Sequence, residues 1–448
     1  MSVGVWAINM SNLVKVSKID EVFLKVHCDD GLARDLFDFF SFTVPNAKFM
    51  PSYRNKFWDG KVRLFSIKTN KIYIGLLPYI DEFCKERGFE FEGVEEVLGI
   101  KERKPELDEF VKGLDLPFQP RGYQLEALKS SIQYGRQLLL SPTASGKSLI
   151  IYMLARYYDK KTIIIVPTTS LVEQMTKDFI DYGYKDKVCK IYHGQEVFDA
   201  PITVTTWQSF AKAPKEVLES FDVVVGDEAH LFKAQTLKGI LEKMKTTAVR
   251  IGTTGTLDGT QTHRLVLEGL FGTVERVTTT KKLMESNHLA QLNIECIVLK
   301  HSEEECKNVK GLNYADEINY LVLQPNRNNF ITTLCSSLKG NTLCLFQLVE
   351  KHGAVLYEMM KDFDRKVFFV HGGTDTKTRE DIRSITENEK DAIIIASYGT
   401  FSTGINIRNL HNIIFASPSK SQIRVLQSIG RGLRKSDDGR VTELYDIS

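Results

Sequence analysis

The chain has 448 residues, of which 42% are hydrophobic and 26% are charged, and its formal net charge is +2. This length and composition predict two or three domains with substantial cores and exclude a disordered chain. Because the net charge is small, binding to nucleic acid would have to use local basic patches rather than a field over the whole surface.

Simple sequence features exclude several other classes of protein. The seven cysteines form no Cys-x-x-Cys pair, which argues against a zinc ribbon or an iron–sulfur cluster and favours a reducing compartment. The apolar runs have the length of strands, so no membrane partner is expected, and the N-terminus lacks the pattern of a secretion signal. A cytoplasmic location is therefore the expectation.

Residues 1–105 are predicted to form a small α+β domain. Two hairpin-like patterns flank a basic and aromatic stretch at residues 48–71, and residues 79–87 have the pattern of a helix. The stretch holds seven basic residues, five aromatic residues and a single acid, Asp59. Basic side chains neutralise phosphates, and aromatic rings stack on unpaired bases, so the stretch indicates DNA binding.

The candidate DNA-binding residues of this domain are Arg54, Lys56, Trp58, Lys61 and Arg63. The alternative is a small β-domain whose aromatic rings fill its core and whose charges are only solvated. A charged segment that ends in a proline, residues 95–105, is the expected linker to the rest of the chain.

From about residue 120 onward, apolar runs of strand length alternate with helical patterns. The predicted strands form two blocks, the first at 137–140, 162–166, 202–205 and 223–226, the second at 342–346, 367–370, 392–396, 412–415 and 441–445. This alternation is typical of doubly wound parallel sheets, so two α/β domains are expected at 106–281 and 282–448. The more polar stretch at 277–339 is predicted to connect them.

The segment Ser141-Pro142-Thr143-Ala144-Ser145-Gly146-Lys147-Ser148 lies between a predicted strand and a predicted helix at 149–158. Backbone N–H groups at such a turn bind a polyanion, and Thr143, Ala144, Ser145 and Gly146 would form the cradle. Lys147 could reach the β- and γ-phosphates of a nucleotide, and the Ser148 hydroxyl could bind Mg²⁺. Ser141 and Ala144 stand where glycine is common, but small residues still permit a close backbone approach.

Two carboxylates, Asp227 and Glu228, follow the apolar run at 222–226. The end of a strand would place both outside the sheet, where Asp227 could hold Mg²⁺ and Glu228 could polarise the attacking water. Together with the loop they predict hydrolysis of a nucleoside triphosphate. The alternative is an acidic turn without catalytic function.

These motifs together resemble superfamily-two helicases over about residues 119–448. The segments that carry the resemblance are Gln119-Pro120-Arg121-Gly122-Tyr123-Gln124, Asp227-Glu228-Ala229-His230 and, preceded by Gln427, Gly430-Arg431-Gly432-Leu433-Arg434. The resemblance implies two RecA-like domains with ATP and Mg²⁺ between them, an adenine contact from Gln124, and catalytic roles for Gln427, Arg431 and Arg434. Ser428 stands where the family has a further arginine.

Further segments match family motifs that couple hydrolysis to movement or contact the nucleic acid. Thr253-Thr254-Gly255-Thr256 matches the coupling motif. Residues 402–406 match a motif of the second domain, in which Gly404 would lie near the nucleotide. The resemblance implies DNA contacts from Thr168, Thr206, Gln208, His371 and Thr403. Taken singly, each of these segments is as consistent with an ordinary loop as with a motif, and their order along the chain supports the joint interpretation.

The segment at 53–64 resembles the N-terminal domain of the phage UvsW family of recombination helicases, and several segments of the α/β domains resemble the same family. This implies a monomeric phage enzyme of the host cytoplasm that remodels branched DNA, by fork regression, junction migration and removal of RNA from RNA–DNA hybrids. Family members continue beyond the strand at 441–446, so a shorter or truncated chain is expected. An RNA helicase, a repair or restriction translocase and a non-catalytic DNA scaffold remain alternatives.

Overall fold

The computed structural model describes residues 12–98, 107–192, 199–257, 259–404, 409–419, 425, 429 and 441–448. The chain divides into two compact units, the first comprising Met1–Ser141 and Gly146–Val277, the second Pro142–Ser145 and Thr278–Ser448. The domain boundaries predicted near residues 105 and 281 stay predictions. Among the described helices, none is both long and apolar enough to cross a membrane.

The first unit begins with a small mixed module. Its elements are β1 (Leu13–Lys18), β2 (Phe23–His27), α1 (Asp30–Phe39), β3 (Ser41–Thr43), α2 (Pro51–Arg54), β4 (Lys61–Arg63), β5 (Lys71–Tyr73), α3 (Leu77–Arg87), β6 (Glu90–Glu92) and α4 (Val94–Leu98). One sheet has the order β5-β2-β1-β6, and β3 pairs with β4 in a second, two-stranded sheet. The strands β5, β2 and β1 are antiparallel neighbours, and β6 is parallel to β1.

The rest of the first unit is built on a seven-stranded parallel sheet. Its elements are α5 (Leu107–Gly113), α6 (Gly122–Tyr134), β7 (Arg136–Leu140), α7 (Lys147–Tyr158), β8 (Thr162–Val166), α8 (Thr169–Asp181), β9 (Cys189–Ile191), β10 (Ile202–Thr206), α9 (Trp207–Phe210), α10 (Lys215–Leu218), β11 (Val223–Asp227), α11 (Gln235–Lys243), β12 (Val249–Thr254), α12 (Gln261–Phe271) and β13 (Val274–Arg276). The strand order is β13-β7-β12-β11-β8-β10-β9.

The second unit contains a six-stranded parallel sheet. Its elements are α13 (Thr280–Glu285), β14 (Leu292–Ile297), α14 (Glu303–Val309), α15 (Tyr314–Val322), α16 (Pro325–Ser337), β15 (Thr342–Phe346), α17 (Ala354–Met360), β16 (Lys366–Val370), α18 (Thr376–Asn388), β17 (Ala392–Ser397), α19 (Tyr398–Gly404), β18 (Asn412–Phe415) and β19 (Thr442–Ile447). The strand order is β14-β19-β18-β15-β17-β16.

Both parallel sheets are covered by helices on both faces. In β8, Ile163 and Ile165 belong to one core and Ile164 and Val166 to another, because successive side chains of a strand point to opposite faces. The same alternation in β15 divides its residues between the two cores of the second unit. These sheets, with the small N-terminal module, confirm the predicted fold class.

The N-terminal module packs directly on the first parallel sheet. Its core residues and those of one sheet face form a single hydrophobic cluster. Polar bridges surround this contact: the Tyr79 hydroxyl donates to Glu268 at 2.6 Å, and Arg136 pairs with Glu21 at 2.6 Å. At Gly75 a Cβ atom would lie 1.9 Å from the backbone oxygen of Glu268, so only glycine permits the approach. The module is therefore part of the first unit rather than a tethered appendage.

Candidate active site and DNA-binding surface

Three strands of the first unit end side by side at the carboxyl edge of the sheet. Leu140 is in register with Thr254, and Asp227 is in register with Thr253. The segments that follow β7, β11 and β12 therefore lie at one edge, where ligands of open α/β sheets bind. The Ser141 N–H donates to the Thr254 carbonyl at 2.8 Å and attaches the start of the phosphate loop to β12.

The loop between β7 and α7 uses left-handed backbone at Ala144 (φ 64°) and Gly146 (φ 79°). Ala144 occupies this conformation at a cost of about 1–2 kcal/mol, which glycine would avoid. The Ser145 hydroxyl and N–H both donate to the Pro142 carbonyl, at 2.6 and 3.2 Å. Alternation between right- and left-handed backbone turns successive N–H groups to one side, which is the arrangement that binds anions. The departure at Ala144 is thus compatible with a phosphate loop.

Gly146 is required for a second reason besides its backbone conformation. A Cβ atom at this position would lie 2.3 Å from Nε2 of Gln124. We expect Gly146→Ala to raise the KM for ATP and to lower the Tm, because it strains the loop and displaces Gln124. Steady-state hydrolysis and thermal unfolding measure the two effects. Gly239→Ala, in the middle of α11 where nothing lies within 4 Å of the added atom, is the matched control and should slightly stabilise the protein.

The Gln124 side chain is buried and connects the start of α6 with the phosphate loop. Its Oε1 accepts from the Arg121 N–H at 2.8 Å, and its Nε2 lies 3.5 Å from the Gly146 carbonyl oxygen. This location beside the loop is compatible with the predicted adenine contact, which stays a prediction.

Lys147 and Ser148 are the first two residues of α7, so both lie at the helix N-terminus that follows the phosphate loop. Nζ of Lys147 lies 3.8 Å from Oε1 of Glu228, and both side chains are largely buried. The Ser148 hydroxyl is 2.7 Å from the hydroxyl of Tyr182. No sequence pattern indicated Tyr182, which lies at the end of α8.

Asp227 is the last residue of β11 and is 7% exposed. The Thr253 hydroxyl donates to its Oδ1 at 2.7 Å, so the coupling motif predicted at residues 253–256 contacts the acidic motif directly. Burial raises the pKa of Asp227, the charge of Glu228 raises it further, and the charge of Lys147 opposes both. A carboxylate in these surroundings is stabilised by a nearby cation, which fits the predicted Mg²⁺ site.

The described residues contain no group of three or more His, Cys, Asp or Glu side chains that could hold a metal by themselves. Mg²⁺ of a nucleotide site usually has one or two protein ligands and takes the remainder from phosphates and water. Asp227 and the Ser148 hydroxyl are the candidate ligands from this chain.

Glu228 and His230 form the second part of the acidic motif. Glu228 has left-handed backbone (φ 51°), a conformation that non-glycine residues keep only where the surroundings enforce it. Nδ1 of His230 lies 3.0 Å from the Thr254 hydroxyl and 3.4 Å from Oε2 of Glu228. A chain of contacts thus joins the candidate water-polarising residue to the end of β12.

The predicted DNA contacts of the parallel-sheet domains differ in accessibility. The Thr168 hydroxyl caps α8 by accepting from Leu171 N–H, and Gln208 is exposed. Thr206 is 5% exposed and its hydroxyl donates to Ser209. In the second unit, His371 follows β16 and its Nδ1 accepts from the N–H of Gly373. All four roles stay predictions.

Several predicted site residues fall where no side chain is described. Gln427, Arg431 and Arg434 lie outside the described residues. Thr403 and Gly404 belong to α19. Their proposed roles rest on the resemblance alone.

The basic stretch at residues 48–71 of the N-terminal module follows β3, includes α2 and β4, and ends at the start of β5; it is called the basic loop below. Arg54, Lys56 and Lys61 are exposed and make no ion pair within the described part of the chain. Arg63 instead pairs with Asp59, and the Trp58 indole N–H donates to the Lys61 carbonyl at 2.8 Å. Phe65 is 2% exposed and belongs to the core. The stretch therefore contains both a core contribution and an exposed basic surface.

Comparison with known proteins identifies the family. The chain is 33% identical over 455 residues to the ATP-dependent DNA helicase uvsW of Enterobacteria phage T4, covering 97% of this chain and 90% of the relative. The chain belongs to the UvsW family of ATP-dependent DNA helicases. The crystal structure of T4 UvsW matches with a TM-score of 0.55 at 32% identity, covering 97% of this chain and 90% of that one.

Three family models match successive parts of the chain. Residues 14–92 match the N-terminal region of DNA helicase UvsW, residues 117–259 the res subunit of type III restriction enzymes, and residues 326–436 the helicase conserved C-terminal domain. The Saccharomyces cerevisiae Dbp5 structure with RNA and ADP BeF3 matches with a TM-score of 0.55 and 15% identity, over 79% of this chain and 89% of that one, and supports the fold alone. The match to uvsW and the two helicase family models confirm the predicted relationship to superfamily-two helicases.

Proposed function

We propose that this UvsW-family helicase uses ATP and Mg²⁺ to remodel branched DNA, by fork regression, junction migration and the opening of RNA–DNA hybrids. The observation that carries the proposal is an exposed basic loop on a module that is fixed to the domain with the phosphate loop. A motor that merely follows a single strand has no need of such a fixed second DNA-binding surface.

The residues of the first unit would divide the hydrolytic work as follows. Lys147 and the N-terminus of α7 would bind the β- and γ-phosphates, and Gln124 would contact the adenine. Ser148 and Asp227 would hold Mg²⁺, which when bound neutralises charge that develops on the phosphate oxygens. Glu228 would orient and polarise the attacking water. By family resemblance, Arg431 and Arg434 would stabilise the transition-state charge, and Gln427 would support them.

The basic loop would hold the backbone of one DNA arm. Arg54, Lys56 and Lys61 are exposed cations without acidic partners among the described residues, so their charge is available to phosphates. Arg63 is less available because Asp59, whose pKa is lowered to about 2 by the hydrogen bond from Arg63, neutralises it.

Replacing Arg54, Lys56 and Lys61 with Ala together is expected to weaken binding to forked DNA and to flatten its salt dependence. The slope of log K against log salt should fall by about 0.7–0.9 for each phosphate contact that is lost. Fluorescence anisotropy at several salt concentrations measures this slope. The triple variant Lys85→Ala, Lys112→Ala and Lys160→Ala, with the same change of charge at exposed positions elsewhere, is the control. Equal slopes in the two variants would assign the loop a purely structural role.

The runner-up functions are distinguished by substrate preference. An RNA helicase would be stimulated most by RNA, and a duplex translocase by unbranched DNA. ATP hydrolysis should therefore be compared across single strands, forks, four-way junctions and RNA–DNA hybrids. The monomeric state and the location in the host cytoplasm also stay predictions.

A further inference from the structure

Among the large apolar side chains that are exposed in the described residues, Phe57 is the most exposed, at 86%. It belongs to the basic loop defined above. A phenylalanine that contributes to folding would be expected to bury most of its ring, since burial of such a side chain is worth about 1.5–3 kcal/mol. Phe57 gains almost none of this energy in the isolated protein.

The other aromatic rings of the loop have partners. Trp58 is half-buried and donates to a backbone carbonyl, and Phe65 lies in the core. The Tyr53 ring packs on Gly60, where an added Cβ atom would lie 3.1 Å from it. Nζ of Lys48 lies 5.2 Å from the centre of the Phe49 ring. No ring or cation contact to Phe57 is found within the described ranges.

The backbone around Phe57 is well fixed although its side chain is exposed. The Phe57 and Trp58 N–H groups both donate to the Ser52 carbonyl, at 3.0 and 3.2 Å. Lys56 has left-handed backbone (φ 58°), which costs a residue other than glycine about 1–2 kcal/mol. Such strain is kept where the surrounding structure enforces it, and it is commonly found at functional sites. The loop therefore presents the ring in a defined place.

We propose that Phe57 stacks on an unpaired base at the branch point of DNA, while its basic neighbours hold the adjoining phosphates. The charge around the ring selects this ligand, because Arg54, Lys56 and Lys61 are exposed cations without acidic partners in the described structure. An aromatic face flanked by cations matches a base flanked by phosphates. The proposal rests on the proposed function and adds the residue that distinguishes branched from unbranched DNA.

The attachment of the module would make this contact mechanically useful. The bridges from Tyr79 to Glu268 and from Arg136 to Glu21 attach the module that carries the basic loop to the domain that carries the phosphate site. A ring held in this way would move with the motor domain and keep an opened base from pairing again.

Phe57→Ala is the test, with binding measured by anisotropy on a fork with unpaired arms and on a blunt duplex of equal length. Loss of one stacked base corresponds to about fivefold to 150-fold weaker fork binding. Duplex affinity should change little, and the salt slope for the fork should be that of the wild type, since a ring neutralises no phosphate. Phe57→Trp should keep fork affinity, and Phe57→Leu should lose it. Tyr134→Ala, which removes an aromatic ring 64% exposed in α6, is the control.

Three outcomes would overturn the inference: wild-type fork affinity in Phe57→Ala, an equal loss of affinity for fork and duplex, or wild-type fork affinity in Phe57→Leu. Sedimentation without DNA adds a fourth, because a dimer that dissociates in Phe57→Ala would assign the ring to a second copy of the chain. A wild-type protein that lacks DNA-stimulated ATP hydrolysis would instead contradict the proposed function. Thermal unfolding checks that each variant is folded. We expect wild-type stability, because substitutions of an exposed side chain usually change the free energy of unfolding little.

Discussion

Lys147→Ala is expected to abolish DNA-stimulated ATP hydrolysis. Lys147 begins α7 directly after the phosphate loop, and its ammonium lies 3.8 Å from Glu228. Without this cation, the positive charge that Lys147 places between the triphosphate and the carboxylates of Asp227 and Glu228 would be missing. Both phosphate binding and stabilisation of the transition-state charge would therefore be lost.

Phosphate release with and without DNA measures the effect of Lys147→Ala. Lys160→Ala, an exposed lysine just after the same helix, is the matched control and should hydrolyse ATP like the wild type. If Lys147→Ala retained DNA-stimulated turnover, the assignment of the loop as the phosphate site would be wrong.

Asp227→Asn is expected to abolish turnover as well, yet to raise the Tm of the nucleotide-free protein. The pKa of Asp227 is raised by burial first and by the charge of Glu228 second. A carboxyl whose folded-state pKa lies above its unfolded value opposes folding once it ionises, so its penalty appears as the pH rises through the folded pKa. Asn keeps an oxygen for the Thr253 hydroxyl and carries no charge. A relief of about 1 kcal/mol would raise the Tm by about 2–4 °C in a domain of this size.

The measurement is thermal unfolding of both proteins without nucleotide between pH 5 and pH 8. The difference in Tm between Asp227→Asn and the wild type should be largest at pH 8. It should shrink as the pH falls, because protonation of Asp227 removes the buried charge from the wild-type protein as well. Asp222→Asn, an exposed aspartate one residue before β11, should show neither effect. If Asp227→Asn kept ATP turnover, Asp227 would not be a ligand of Mg²⁺. A lower Tm than that of the wild type at pH 8 would contradict the electrostatic argument.

The strands that carry the site could be predicted because their signals are local. Strand β8 was expected at residues 162–166 and lies there, and β11 extends only one residue beyond its predicted end. Both are buried on two faces and are therefore almost purely apolar in sequence. The helix after the phosphate loop was predicted from residue 149 and begins at Lys147, because the two polar residues of its first turn conceal its start.

Strand β12 was missed because its sequence does not resemble a buried strand. Arg250 in its middle is fully buried, and its guanidinium is satisfied by the carbonyl oxygens of Leu241, Met244 and Thr247. Burial lowers the pKa of Arg250 to about 9. Gly252 is needed because a Cβ atom there would lie 2.8–2.9 Å from side-chain atoms of neighbouring residues. Both features depend on tertiary contacts that no local pattern contains.

The stretch at 277–339 was predicted as a connection but contains β14 and four helices, α13 to α16. Strand β14 lies at the edge of its sheet, and most of its residues are exposed, so it lacks the apolar pattern by which inner strands are recognised. Parallel pairing with β19 holds it in place. Likewise, the contact between Ser148 and Tyr182 joins residues 34 positions apart and could not be inferred from spacing.

We propose that ATP hydrolysis by this protein drives remodelling of branched DNA. A four-way junction with one labelled arm, incubated with the wild-type protein and ATP, tests it most directly on a native gel. The junction is expected to be converted to migrated products in a reaction that requires ATP and is absent with Lys147→Ala. DNA-stimulated hydrolysis that leaves junctions and forks unchanged would contradict it.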